Sequence, residues 1–236
     1  MSAWAAKRFW ASTSVVAVEG GFAVHLDARP VKTPSKKLLV LPNAAMAQAI
    51  AAEWDAQQGL IRPDTMPMTR YANSALEKVA PQFDAVADHV ATYGETDLLC
   101  YRATAPQALI DRQNAAWDPW LEWAAQDLNA PLIATAGVMY IAQNPASLSN
   151  LRAQIDDMTD FHLSAFHDLV AISGSFVLAL AMARGRITAA QGFELSRIDE
   201  DWQIEQWGQD DDANALAASK ARALQQALIF FELHNE

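Results

Sequence analysis

The sequence predicts an α+β protein: a small N-terminal β-rich (α/β) domain, residues 1–66, followed by a larger all-helical domain, residues 67–236. Three observations predict it. Short apolar runs punctuated by turn residues are confined to the stretch ending at Leu41, long segments with helical periodicity fill the chain after Pro67, and Ile61–Pro67 between them holds two prolines and no periodicity.

The first runs, Val15–Val18 and Phe22–Leu26, flank Glu19-Gly20-Gly21 and read as a hairpin. A second turn, Asp27–Pro30, and a basic bend at Lys36 and Lys37 lead to Leu38–Leu41, which completes a β-meander. Pro30 and Pro34 belong at edge positions, because proline cannot donate to a ladder. Asn43 is placed to cap a helix ending before Gly59, with Met46, Ala49, Ile50, Glu53, Trp54 and Gln57 along one stripe.

Beyond the prolines, Tyr71, Ala72, Ala75, Leu76 and Val79 share a helical face, and Pro81 opens a segment with Phe83, Val86, Ala87 and Val90 that ends at Gly94. A helix from Pro106 carries Leu109, Gln113, Trp117 and Leu121, with Pro119 expected to start a new turn or kink it. Leu132–Ile141 fits either an extended buried run or a weak helix. Ser147 is expected to cap a helix continuing through Phe161 and Leu169 to Ser173-Gly174-Ser175. Phe176–Met182, apolar on every side, belongs in the core, with Gly185 as its stop. Thr188 is expected to cap the helix bearing Asp199–Asp210, and Asp210–Asp212 supply an acidic start to a last helix whose Leu216, Leu224, Leu228 and Phe231 face inward.

The formal net charge of -11 disfavours phosphate backbones and anionic lipid surfaces as partners. A lone cysteine, Cys100, excludes an internal disulfide and fits a reducing compartment. The opening MSAWAAKRFW shows neither a secretory h-region nor an Arg- and Ser-rich transit peptide, and no apolar run approaches the roughly 20 residues of a membrane span.

Catalytic and cofactor motifs are missing. Neither G-x-G-x-x-G nor G-x-x-x-x-G-K-[ST] nor G-x-S-x-G occurs. His162 and His167 are five residues apart, off the i, i+4 spacing of a zinc helix, and the calcium-loop start at Asp210 lacks the glycine and glutamate it needs later. What stands out is Asp199–Asp210. As a helix it sets Glu200, Gln203 and Trp207 at i, i+3 and i+7, and Trp202 and Gln206 at i and i+4, until Gly208 stops it. Residues 188–212 carry eight acids against Arg197 alone. Such a face suits either solvation or a protein partner, since two indoles are interleaved with the carboxylates. A carboxylate-dependent hydrolase or metal enzyme using Glu194, Asp199 and Glu200 is the alternative, but no nucleophile or histidine accompanies them.

An ordered set of segments carries a family resemblance: Lys7-Arg8-Phe9, LDARPVKTP (Leu26 to Pro34), EWDAQ (Glu53 to Gln57), MPMTRYAN (Met66 to Asn73), Tyr93 with TDLLCYR (Thr96 to Arg102), WDPWLEW (Trp117 to Trp123), GSFVLALA (Gly174 to Ala181) and DEDWQIEQWGQD. The sequence resembles the ATP synthase assembly chaperones that bind the unassembled α subunit of the catalytic head, found in mitochondria and α-proteobacteria. The resemblance implies a monomeric, ATP-independent holdase without enzymatic activity, cofactor or metal. Its fold would be a small α/β domain followed by an orthogonal helical bundle, and its client would be shielded until the β subunit replaces it. Carried onto this chain, the client-binding residues are Glu200, Gln203, Trp207 and Asp210, with Glu53 and Trp54 from a second stretch. The start of the chain points to the bacterial cytoplasm, where eukaryotic relatives occupy the mitochondrial matrix.

Overall fold

The structure, a computed structural model, describes residues 7–235; Met1–Ala6, the start of the segment read for a targeting signal, lie outside the described residues. The chain opens with β1 (Thr13–Val18) and β2 (Gly21–Leu26), paired antiparallel in a register that puts Thr13 opposite Leu26 and Val18 opposite Gly21. Glu19 and Gly20 make the two-residue turn, with Gly20 at φ +83°. Two short strands, β3 (Arg29–Pro30) and β4 (Val40–Leu41), pair with β2 near its end and its start respectively. The meander is therefore centred on β2, and Pro30 sits on a short outer strand as its missing N–H requires.

Asn43 caps α1 (Ala44–Asp55), its side chain accepting from the Met46 N–H at 2.9 Å. This helix packs on β1 and β2, closing a core of Ala23, Val24, Leu39, Leu41, Met46 and Ile50, all essentially solvent-free. A 3₁₀ turn at Pro63–Thr65 leads to α2 (Pro67–Ser74), which runs through a π-helical turn at Ala75–Val79 towards α3 (Phe83–Ala91). The helical part then contains β5 (Tyr101–Arg102), α4 (Gln107–Asp127), β6 (Thr135–Ala136), α5 (Pro145–Ala153), α6 (Asp160–Ser173), α7 (Phe176–Ala183), α8 (Ala189–Leu195), α9 (Ile198–Trp207) and α10 (Asp211–Leu233). Strands first and helices after them make the α+β class. None of the helices is long and apolar enough to cross a membrane among the described residues.

By compactness the chain forms two units. One comprises the described residues up to Phe83 together with Thr159–Ala165 and those from Ile229 on, so the expected boundary near Met66 falls inside it. Its returning segments join through aromatic contacts, with the Phe230 ring 5.2 Å from Tyr71 and 6.4 Å from Phe161. The other unit, Asp84–Met158 and Phe166–Leu228, is built on α7. Phe176–Met182 are all buried there, capped by Ser175 accepting from the Leu178 N–H at 3.0 Å. Asp97, fully buried, serves two helix starts at once: it accepts from Leu99 N–H at 3.0 Å and from Val177 N–H at 3.1 Å.

Several expectations are corrected. Pro119 lies inside α4 and does not start a new helix. Ser147 is interior to α5, where its hydroxyl donates to the Pro131 carbonyl at 2.8 Å; the cap is Asn144, followed by Pro145 in the first turn. The helix does not continue to Phe161, since α5 ends at Ala153 and α6 begins at Asp160. Thr188 caps α8 with a full capping box, and α9 is a separate helix. Leu132–Ile141 is neither buried nor helical: beyond β6, Val138, Met139 and Tyr140 are 92%, 78% and 61% exposed. Leu216 points outward, 59% exposed, while Leu224, Leu228 and Phe231 are buried as expected.

Candidate functional site: two grooves

The acidic helix α9 begins three residues after α8, and the junction is fixed from outside by Trp117, whose Nε1 donates to the Leu195 carbonyl at 2.8 Å. Ile198 is buried against the bundle, and most of the helix's carboxylates are held by partners within the chain. Asp199 accepts from Gln113 Nε2 at 2.5 Å, and the same amide's oxygen accepts from the Ala103 N–H at 2.7 Å, so Asp199 belongs to a half-buried network centred on Gln113 of α4. Glu205 takes both guanidinium arms of Arg112, at 2.8 and 2.9 Å, which holds its carboxyl below the usual range. Arg112 also lies over the Trp202 ring at 5.0 Å, and Asp201 pairs with Arg197 at 3.4 Å.

Glu200 is different. Its carboxylate has no ion pair or hydrogen bond among the described residues, and it lines a groove of about 390 Å³. Gln203, Trp207 and Asp210 line the same groove, so the four residues expected from this stretch come together. Trp207 is 79% exposed, whereas Trp202 is half-buried beneath Arg112; the two indoles thus have separate duties. Gly208, at φ +91°, ends α9, and Asp210 accepts from the Ala213 N–H at 2.8 Å to start α10. The opposite wall, not expected from sequence, is Ala213, Leu216, Ala217 and Lys220 on α10. Their spacing traces one stripe of that helix, a signal that was present in the chain but could be read only once Leu216 was known to face out.

The remaining two expected residues lie in the other unit. Glu53 turns its carboxylate onto the start of α2, accepting from Met68 N–H at 2.6 Å, Thr69 N–H at 2.8 Å and the Thr69 hydroxyl at 2.8 Å. Burial pushes its pKa up despite those bonds. Trp54 stands edge-on to Trp10, with ring centroids 5.4 Å apart, and lines a second groove of about 500 Å³. Lys32 and Pro34, Trp54, and Met66, Arg70 and Asn73 all line it, so three of the segments that carry the family resemblance meet in one place. Gln57 organises the approach, donating to Thr65 Oγ1 at 3.1 Å and accepting from Arg62 N–H at 2.8 Å.

Neither groove assembles hydrolytic or metal chemistry from the suspected trio. Glu194 borders a separate depression beside Pro119 and Trp120, Asp199 is bonded to Gln113, and Glu200 faces the α9–α10 groove. Among the described residues no three His, Cys, Asp or Glu side chains are placed to hold a metal ion. Cys100 is buried, its thiol pushed up to about 12, which leaves little thiolate for nucleophilic use.

Comparison with known proteins agrees with the architecture. The family model described as ATP12 chaperone protein matches residues 7–125. The crystal structure of Atp12 from Paracoccus denitrificans superimposes with a TM-score of 0.94 at 52% identity, covering 97% of this chain and 98% of that one. A structure from Agrobacterium tumefaciens gives a TM-score of 0.88 at 38% identity over 94% of this chain and 85% of that one. The mitochondrial protein atp12 of Schizosaccharomyces pombe is 23% identical over 224 residues, 89% of this chain and 76% of its own length. The likeness extends through both units and beyond the span of the family model: the chain belongs to the ATP12 chaperone protein family.

Proposed function

We propose that this chain is an ATP-independent holdase for the assembly of the proton-transporting ATP synthase, that it binds the free α subunit of the catalytic head, and that it works as a monomer in the bacterial cytoplasm. The client docks on the groove between α9 and α10. One observation carries this reading: Glu200 is left unpaired beside an exposed Trp207, while Asp199, Asp201 and Glu205 on the same helix are held by their own chain. An unpaired carboxylate next to a large exposed apolar ring fits a client surface that is apolar and basic. A mixed interface of this kind also suits release, because a fully apolar one resembles a permanent contact. Glu53 serves the reading by fixing α2, and Trp54 by lining the second groove.

The test is the aggregation of isolated α subunit followed by light scattering. Wild-type chain suppresses it, Glu200→Lys and Trp207→Ala do so poorly, and both variants melt like wild type. Undiminished protection by both variants removes this groove from the function.

A further inference from the structure

The groove around Trp54 has the opposite polarity from the one on α9. Its apolar lining is Trp54, Ile61, Pro63, Met66 and Pro34, and exposed Lys32, Arg70 and Lys78 line it as well. None of these three cations makes an ion pair within 4.0 Å among the described residues. One carboxylate, Glu77, lines the groove with them, a second, Glu53, lies within electrostatic range of Arg70, and both are engaged elsewhere. Glu77 is turned onto Ser35, whose N–H donates to it at 2.7 Å and whose hydroxyl bonds it as well. Glu53 is bonded to the start of α2 and feels Arg70 only at longer range. The charge pattern of the chain points the same way: residues 1–83 hold nine Lys and Arg against six Asp and Glu, and residues 84–236 hold eight against 22.

We propose that this groove is a second docking site, for an acidic polypeptide segment that seats an apolar side chain against Trp54, Met66 and Pro34 and directs its carboxylates at Lys32, Arg70 and Lys78. The occupant's class follows from size and charge. A volume of about 500 Å³ is that of a site enclosing a few side chains, so it takes a segment and not a folded face. An extended polyanion such as a nucleic acid or an anionic bilayer is repelled by a molecule of net charge -11, whereas one or two carboxylates meet only the local cations. The site therefore complements the α9 groove by capturing acidic segments where that one captures basic surface. Assigning the segment to the client rests on the holdase reading; the groove's own selectivity does not.

The experiment titrates full-length protein into a short fluorescein-labelled amphipathic peptide with glutamates on one face and leucine and phenylalanine on the other, read by anisotropy. The peptide binds, binding weakens with salt, and Arg70→Glu and Lys78→Glu each weaken it about tenfold while Glu200→Lys leaves it unchanged. Arg70→Gln and Lys32→Gln, which disturb the fold least, give smaller losses in the same direction. Equal binding of the same peptide with lysines for glutamates overturns the proposal, as do variants of these cations that bind like wild type. Preferential sedimentation with anionic phosphatidylserine vesicles, or self-association abolished by Arg70→Glu, assigns the groove to another occupant and overturns it too. Peptide binding together with unchanged α-subunit aggregation keeps the groove and sinks the holdase reading, so the two fail separately.

Discussion

Asp97 offers the sharpest physical test of the helical unit. The carboxylate is fully buried, and loss of contact with water lifts its pKa from 3.8 to about 6, even though the Ser175 hydroxyl and the Leu99, Val177 and Phe176 N–H groups bond it. Because the folded pKa lies above the unfolded one, the folded chain holds the proton longer. The group's contribution is therefore full below about pH 4 and is lost as pH rises through about 6. A displacement of about two units corresponds to about 3 kcal/mol. Asp97→Asn removes the ionisation while keeping one acceptor, at a loss of about 1 kcal/mol for the bond its NH₂ cannot make. Asp97→Ala instead strands the buried Leu99 and Val177 donors and costs about 2–4 kcal/mol at any pH. Urea unfolding at a series of pH values from about 4 to 8, which spans the interval between the unfolded pKa of 3.8 and the folded one of about 6, separates the cases. The wild-type curve should fall relative to Asp97→Asn as pH rises, and the asparagine variant should match or exceed wild type at the alkaline end. Parallel curves for the two, or an alanine variant as stable as wild type, would refute the reasoning.

Three more predictions concern the N-terminal unit. Gly21 sits at φ +149°, and a Cβ there would lie 2.1 Å from the Leu41 carbonyl oxygen, so Gly21→Ala should part β4 from β2 and cost about 3 kcal/mol or more, seen as a lowered melting temperature. Glu53→Ala frees the first N–H groups of α2 and should cost about 2 kcal/mol, with hydrogen exchange at Met68 and Thr69 accelerating first. His162 and His234, with ring centroids 4.1 Å apart, are both held below the usual histidine range, chiefly by burial. Their unfolded forms take up protons first, so stability falls as pH drops below about 6.5 and exchange in residues 229–235 should quicken there; His162→Gln should flatten that dependence.

What could be read in the chain was what local chemistry decides. The hairpin at Gly20, the Asn43 cap, the stop at Gly208 and the uniformly apolar Phe176–Met182 each depend on a few adjacent residues, and each stands as expected. The break between α8 and α9 was not legible, because Ser196 and Arg197 carry no strong breaker and the junction is held by Trp117 from 78 residues away. Ser147 was the expected helix start, but the helix begins three residues earlier, with Asn144 as cap and Pro145 in the first turn, where its fixed φ is favoured. An apolar run such as Leu132–Ile141 has no local mark that distinguishes burial from exposure. The site shows the same division. Spacing alone grouped Glu200, Gln203 and Trp207, but only the fold reveals that Asp199 and Glu205 are bound by Gln113 and Arg112, 86 and 93 residues distant.

The loop after β6 gives the molecule a built-in reporter. Met139 and Tyr140 protrude, 78% and 61% exposed, so mild oxidant converts Met139 before the buried Met46, Met66 and Met182, and a protease of aromatic specificity finds Tyr140 ahead of the enclosed Tyr71. Mass spectrometry of those two side chains, with and without client, shows whether the client's footprint reaches the loop, and needs no engineered label.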